Sequence, residues 1–65
     1  MHIEVNGQPR EVRATTVDKL LDEIGLAQTG VAVERNAEIV LKAKYGETSL
    51  SENDRIEIVH FVGGG

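Results

Sequence analysis

The sequence predicts an α+β domain, a single mixed sheet of four to five strands covered on one face by one helix. Three features carry that reading. A short alternating run ends in Asn6-Gly7, one amphipathic stretch runs from Val17 to Ile24, and a second alternating run starts at Arg55. One helix with one apolar stripe has to bury that stripe against one sheet face, which gives two layers.

His2-Ile3-Glu4-Val5 alternates polar and apolar, so Ile3 and Val5 share one face of a strand. Asn6-Gly7 is the strongest short hairpin signal, because both residues tolerate the positive φ of a type I′ turn. The return strand is placed at Arg10 to Arg13 with Val12 inward, and Pro9, which lacks a backbone donor, suits an edge. Thr15-Thr16 opens the helix, with Thr15 and Asp18 spaced as in a capping box. Val17, Leu20, Leu21 and Ile24 fall at i, i+3, i+4 and i+7, which makes a helix of about ten residues. Gly25 fits the left-handed position that ends it.

Val31 to Glu34 reads as a third strand, Asn36-Ala37 as a turn, and Glu38 to Val40 as a short fourth strand. Lys42 to Glu47 is polar with a bend at Tyr45-Gly46, and Thr48 to Leu50 reads as one 3₁₀ turn with Leu50 inward. Ser51 to Asp54 is a turn, and the last strand runs from Arg55 to about Val62. If that strand lies parallel to the first in the middle of the sheet, the topology is the β-grasp of ubiquitin-like proteins. The domain is then residues 1–62, with 63–65 as a flexible glycine tail.

Composition narrows the function. Sixty-five residues bury only about 60% of the surface of the unfolded chain, so the core is modest and leaves little room for a catalytic pocket of its own. There is no cysteine, hence no disulfide and no thiolate metal site, and His2 and His60 alone do not make a structural zinc site. The net charge of −4, with no Lys/Arg cluster, argues against nucleic acid and for a basic protein surface as partner. No apolar run approaches the roughly 20 residues of a membrane span, and no signal peptide precedes the first strand. The expectation is a cytoplasmic protein that binds no cofactor or metal and is a monomer when alone.

The chemistry is expected at the end of the chain. Gly63-Gly64-Gly65 stabilises nothing, because glycine loses the most freedom on ordering. Three extended residues reach about 10 Å, enough to enter a narrow site on another protein. A carboxylate at Gly65 is a poor electrophile and needs activation, most directly as an acyl-adenylate made from ATP by a partner; sulfur or amine attack then yields a thiocarboxylate or an amide. A frayed end or a cloning scar is the plainer reading of the glycines. Within the last strand, Ile56 and Ile58 share a parity that faces the helix, leaving Val59 and Phe61 toward solvent as a docking patch; a bulge near His60 would instead send both into the core. His60, the acidic pairs Asp18/Asp22 and Asp22/Glu23, and Lys42 and Lys44 read as ordinary surface.

Taken together, these segments resemble the ThiS-type sulfur carrier family of thiamin biosynthesis. The resemblance rests on Val5-Asn6-Gly7, Val17-x-x-Leu20-Leu21, Gly25-Leu26, Val31-Ala32-Val33-Glu34-x-Asn36-x-x-Ile39-Val40, Asp54-Arg55-Ile56-Glu57-Ile58-Val59 and the terminal glycines. It implies a ubiquitin-like fold whose terminal glycine is adenylated by an E1-like adenylyltransferase (ThiF-like). It also implies sulfur drawn from a cysteine desulfurase and passed, as a thiocarboxylate, to a thiazole synthase (ThiG-like). Gly65 would carry the sulfur, Gly63 and Gly64 would thread the channel, and Val59 and Phe61 would lie at the partner interface. The chain departs from the family in having Ala37 where Asn-Gly is common, so that Asn36 alone is left to supply a left-handed turn residue, and in ending on three glycines. A molybdopterin synthase small subunit, another pathway's sulfur carrier, a ubiquitin-like modifier and a plain interaction domain are the alternatives.

Overall fold

A computed structural model describes residues 1–61. The order of elements is β1 (His2–Val5), β2 (Gln8–Glu11), α1 (Val17–Glu23), β3 (Val31–Arg35), β4 (Glu38–Val40), a 3₁₀ turn (Lys42–Lys44) and β5 (Arg55–His60). The five strands form one sheet in the order β2-β1-β5-β3-β4. β5 is central, parallel to β1 and antiparallel to β3, and the two hairpins flank it. This is the α+β, β-grasp arrangement expected, with five strands.

The core forms where α1 meets one sheet face. Ile3 and Val5 from β1, Val33 from β3 and Ile56 and Ile58 from β5 meet Val17, Leu20 and Leu21 of the helix. Ile24 and Leu26 pack at its margin. The alternation in β1 and β5 therefore orients the strands as the sequence implies.

Several local expectations are corrected. The second strand is Gln8–Glu11 rather than Arg10 to Arg13, and all four of its residues are exposed. Pro9 sits within it, opposite Glu4, on a sheet edge where its missing N–H costs nothing. Val12 is buried just beyond the strand, its N–H bonded to the Met1 carbonyl at 2.9 Å. The helix has seven residues, not about ten. Its N-cap is Thr16, with no side-chain cap bond, so the Thr15/Asp18 capping box does not form. Main chain does that work: the N–H groups of Val17 and Asp18 reach the carbonyls of Thr48 and Tyr45. Thr16 Oγ1 donates instead to the Asp18 carboxylate. At the other end Leu26 N–H bonds to Leu21 O and Gly25 N–H to Asp22 O, a Schellman stop with Gly25 at φ +82°.

The 3₁₀ turn lies at Lys42–Lys44 and not at Thr48 to Leu50, where Ser49 bridges to Thr16 and Leu50 is buried. Tyr45, placed by the sequence in a polar bend, is only 2% exposed and belongs to the core. The β3–β4 turn uses two left-handed residues, Asn36 at φ +52° and Ala37 at φ +71°, so Asn36 does not act alone. Glu23 is exposed, yet its carboxylate accepts the N–H groups of Arg13 and Ala14 at 2.8–3.2 Å, tying the segment before the helix to its last turn.

Asp54 is the buried charged residue of the core region, 5% exposed. Its carboxylate accepts from Arg35 Nε at 2.7 Å, Asn36 Nδ2 at 2.9 Å and the Ser51 N–H at 2.7 Å. Burial alone would raise its pKa, but these donors outweigh it and hold the carboxyl below the ordinary value of 3.8. A depressed carboxyl contributes its stability in full above the unfolded pKa and loses it as pH falls through the lower folded one. Asp54→Asn should therefore be less stable than the parent at pH 7, with the gap closing in urea titrations as pH is lowered past about 3.8. Ala37→Gly should raise stability by about 1 kcal/mol in the same assay, because an alanine at positive φ is strained where glycine is not.

Candidate functional site

The site is built on the end of β5, and its position follows from how that strand is held. On one side β5 pairs with β3 from Arg35↔Ile56 to Val31↔His60, and the Phe61 N–H extends the ladder to the Gly30 carbonyl at 2.9 Å. On the other side β1 gives only two paired positions, Glu4↔Arg55 and Val5↔Ile56, before the chain turns away at Asn6-Gly7. The Asn6 side chain then takes over. Its Oδ1 accepts the Ile58 N–H at 2.7 Å and its Nδ2 donates to the Ile58 carbonyl at 3.2 Å. A carboxamide thus stands in for the next peptide of β1.

The start of the strand is held in the same way. Asn36 N–H donates to the Arg55 carbonyl at 2.8 Å, and Asn36 Oδ1 accepts the Arg55 N–H at 2.9 Å. Both asparagines occupy the first left-handed position of a two-residue turn. A turn signal in the sequence therefore doubles as an anchor for the central strand, a role that the dipeptide alone does not reveal.

Ile56 and Ile58 face the helix and are buried, while Val59 and Phe61 are exposed at 54% and 65%. No bulge sends them inward; the β3 register is unbroken through His60. The face of the sheet away from the helix carries, across β5, β3 and β4, the rows Val59–Ala32 and Glu57–Glu34–Ile39. Ile39 is 75% exposed. Val59, Phe61 and Ile39 thus form an open apolar surface around two directly opposed carboxylates, Glu34 and Glu57, neither in an ion pair among the described residues. Ile39 belongs to this surface and sequence reasoning missed it; the pairing Glu34↔Ile39 puts it there, and strand parity in the short β4 was the available signal.

The other sequence candidates fall elsewhere. Gly63, Gly64 and Gly65 lie outside the described residues, as does Val62. His60 is exposed at the end of β5. Lys44 is near Glu47 at 3.7 Å, an ordinary surface pair. Among the described residues no group of acidic and histidine side chains is arranged to hold a metal ion. Among the described residues no helix is long and apolar enough to cross a membrane.

Comparison with known proteins adds to this geometry. A sequence model of the ThiS family matches residues 3–65. A sulfur carrier protein ThiS from Bacillus subtilis is 52% identical over 50 residues, covering 77% of this chain and 76% of its own length. A thiazole synthase from Magnetococcus marinus is 48% identical over 66 residues; the match takes in 100% of this chain, which spans 20% of that protein's length. The crystal structure of a thiamine biosynthesis protein (ThiS) from Geobacter metallireducens superposes with a TM-score of 0.85 at 33% identity, covering 100% of both chains.

Asn6→Gly keeps the positive φ of the turn and removes only the carboxamide. It should lower stability by about 2 kcal/mol in urea denaturation, the net worth of two hydrogen bonds to a strand. No change would mean that the Ile58 contacts carry no weight.

Proposed function

This chain belongs to the ThiS family, and from that premise we propose that it is a sulfur carrier of thiamin biosynthesis, a protein co-substrate on which other enzymes act. The family match running through Gly65 carries the reading. Gly65 presents a carboxylate that attacks the α-phosphorus of ATP on a ThiF-like adenylyltransferase, releasing pyrophosphate and leaving an acyl-adenylate. A persulfide supplied through a cysteine desulfurase adds its terminal sulfur to the carbonyl and AMP departs, leaving an acyl disulfide; a thiolate then attacks the donor's sulfur, forms a disulfide with it, and releases the thiocarboxylate. That thiocarboxylate delivers sulfur to a ThiG-like thiazole synthase. The relative from Magnetococcus marinus supports this last partner, since a thiazole synthase there includes a stretch similar to this whole chain.

The described residues support the role of a holder. β5 runs through the middle of the sheet, and exposed Val59 near its end and Phe61 just past it lie within four residues of the first glycine in sequence. An apolar surface that a partner covers, beside a tail without side chains, brings the acyl group into the partner's site without a lid or hinge in this protein. Glu34 and Glu57 set the charge of that surface, so the complementary partner face is basic. Gly63 and Gly64 thread the channel, where the absence of Cβ atoms lets the partner's backbone approach. The carrier works in the cytoplasm as a monomer between encounters. ATP is bound by the partner and not here.

Intact-mass analysis tests the chemistry. Protein incubated with the adenylyltransferase, ATP and a sulfur donor should show one oxygen replaced by sulfur, and a chain lacking Gly65 should not. Conjugation to lysines of other proteins would support a modifier instead. The paired substitution Val59→Ser with Phe61→Ser should weaken binding to the adenylyltransferase by about tenfold or more while leaving the thermal midpoint nearly unchanged, since both side chains are already exposed.

A further inference from the structure

We propose that the end of β5 is a slot for strand addition: an extended segment of the adenylyltransferase pairs with the backbone of His60, in the sheet position that β1 vacates. The inference rests on the carrier reading above and goes beyond it by naming the backbone that is read.

The argument is one of alternation. The carbonyl of Arg55 at the start of β5 and the N–H of Phe61 just past its end point toward β3 and its flanking residues, and so do the backbone groups of the odd-numbered residues between them. The even-numbered residues point toward β1. Ile56 O accepts the Asn6 N–H at 2.9 Å, and Ile58 is closed on both groups by the Asn6 carboxamide. The next even residue is His60. Its N–H and carbonyl point to the same side, where β1 has already ended, and no described residue bonds to them. An open N–H and C=O in line with a sheet ladder are matched by the backbone of another extended segment.

What lies beside the opening fits such a segment. A groove of about 310 Å³ runs between the first hairpin and the end of α1, and its lining includes Val5, Ile24, Leu26 and Ile58 together with the polar Arg10 and His60. Side chains of an added strand alternate between faces. One set would enter this groove, and the other would lie on the outer face near Val59 and Phe61, already assigned to the partner. The slot is therefore continuous with that surface and adjoins the tail. A second copy of this chain is the poorer occupant. It brings another net charge of −4 against the first, and its β2 edge carries Pro9, which has no N–H to give.

Chemical synthesis of the full chain allows the His60 N–H to be removed without touching any side chain. The N-methyl-His60 protein should bind the adenylyltransferase about tenfold or more weakly than the unmodified protein in titration calorimetry, with its thermal midpoint unchanged. An ester in place of the 59–60 amide, which removes the donor without adding bulk, should weaken binding in the same direction. His60→Ala, which keeps the N–H, should bind within a few-fold of the parent. Equal affinity of the parent and both backbone variants overturns the proposal. So does loss of self-association in sedimentation with partner affinity intact, which would assign the slot to a second copy. If the unmodified protein is itself neither bound nor adenylated, the carrier reading fails and the slot with it; if it is adenylated normally and only the backbone variants are indifferent, the slot alone fails.

Discussion

The structure depends on how its central strand is anchored. Among the described residues β5 alone has two strand neighbours that are not its neighbours in sequence, so its position closes the sheet. Backbone pairing supplies the β3 side almost completely. The β1 side is short, and two asparagine carboxamides complete the restraint: Asn36 at Arg55 and Asn6 at Ile58. Each belongs to a tight turn whose positive φ carries the chain away from the strand while leaving the side chain in register with it. The restraint is electrostatically cheap, because a neutral amide matches a peptide group and leaves no charge to desolvate.

From that anchoring follows an asymmetry along β5. Its first half is locked between two strands and packed under α1 through Ile56 and Ile58. Its second half keeps the β3 ladder but loses its other neighbour, and its outward side chains are exposed and apolar. A strand that is stiff at one end and open at the other leaves the backbone of His60 fixed by β3 on one side and unpaired on the other among the described residues. The Asp54 network acts at the locked end, joining Arg35, Asn36 and Ser51 where β3, its turn and the approach to β5 meet. Its charge is fully satisfied, which explains how a buried carboxylate is tolerated in so small a core.

The architecture was legible in the sequence because it is written in local patterns. The two-residue period in β1 and β5 gave both strands and the direction of their inward side chains; for Val59 and Phe61 it left a bulge as the alternative, which the unbroken β3 register removes. The Val17, Leu20, Leu21 spacing gave the helix, and Gly25 gave its stop. What was not legible has physical reasons. Gln8-Pro9-Arg10-Glu11 has no apolar alternation, because both faces of this edge strand are wet, and the one inward residue nearby, Val12, lies past its end. Tyr45 looked like part of a polar bend since its burial depends on a loop folding back under the helix. The partners of Asp54 lie up to 19 residues away, and no spacing rule joins them. Ala37 shows the hairpin overriding propensity: the β3–β4 register requires a second left-handed residue whatever side chain is there.

Amide hydrogen exchange along β5 in the free protein tests the anchoring most directly. If the carboxamide of Asn6 completes the ladder, the Ile56 and Ile58 amides should exchange only through global unfolding, whereas His60 should exchange orders of magnitude faster through its open side. Ile58 exchanging as fast as His60 would mean that the side chain does not replace β1, and that the strand is loose well before the end that it is held to present.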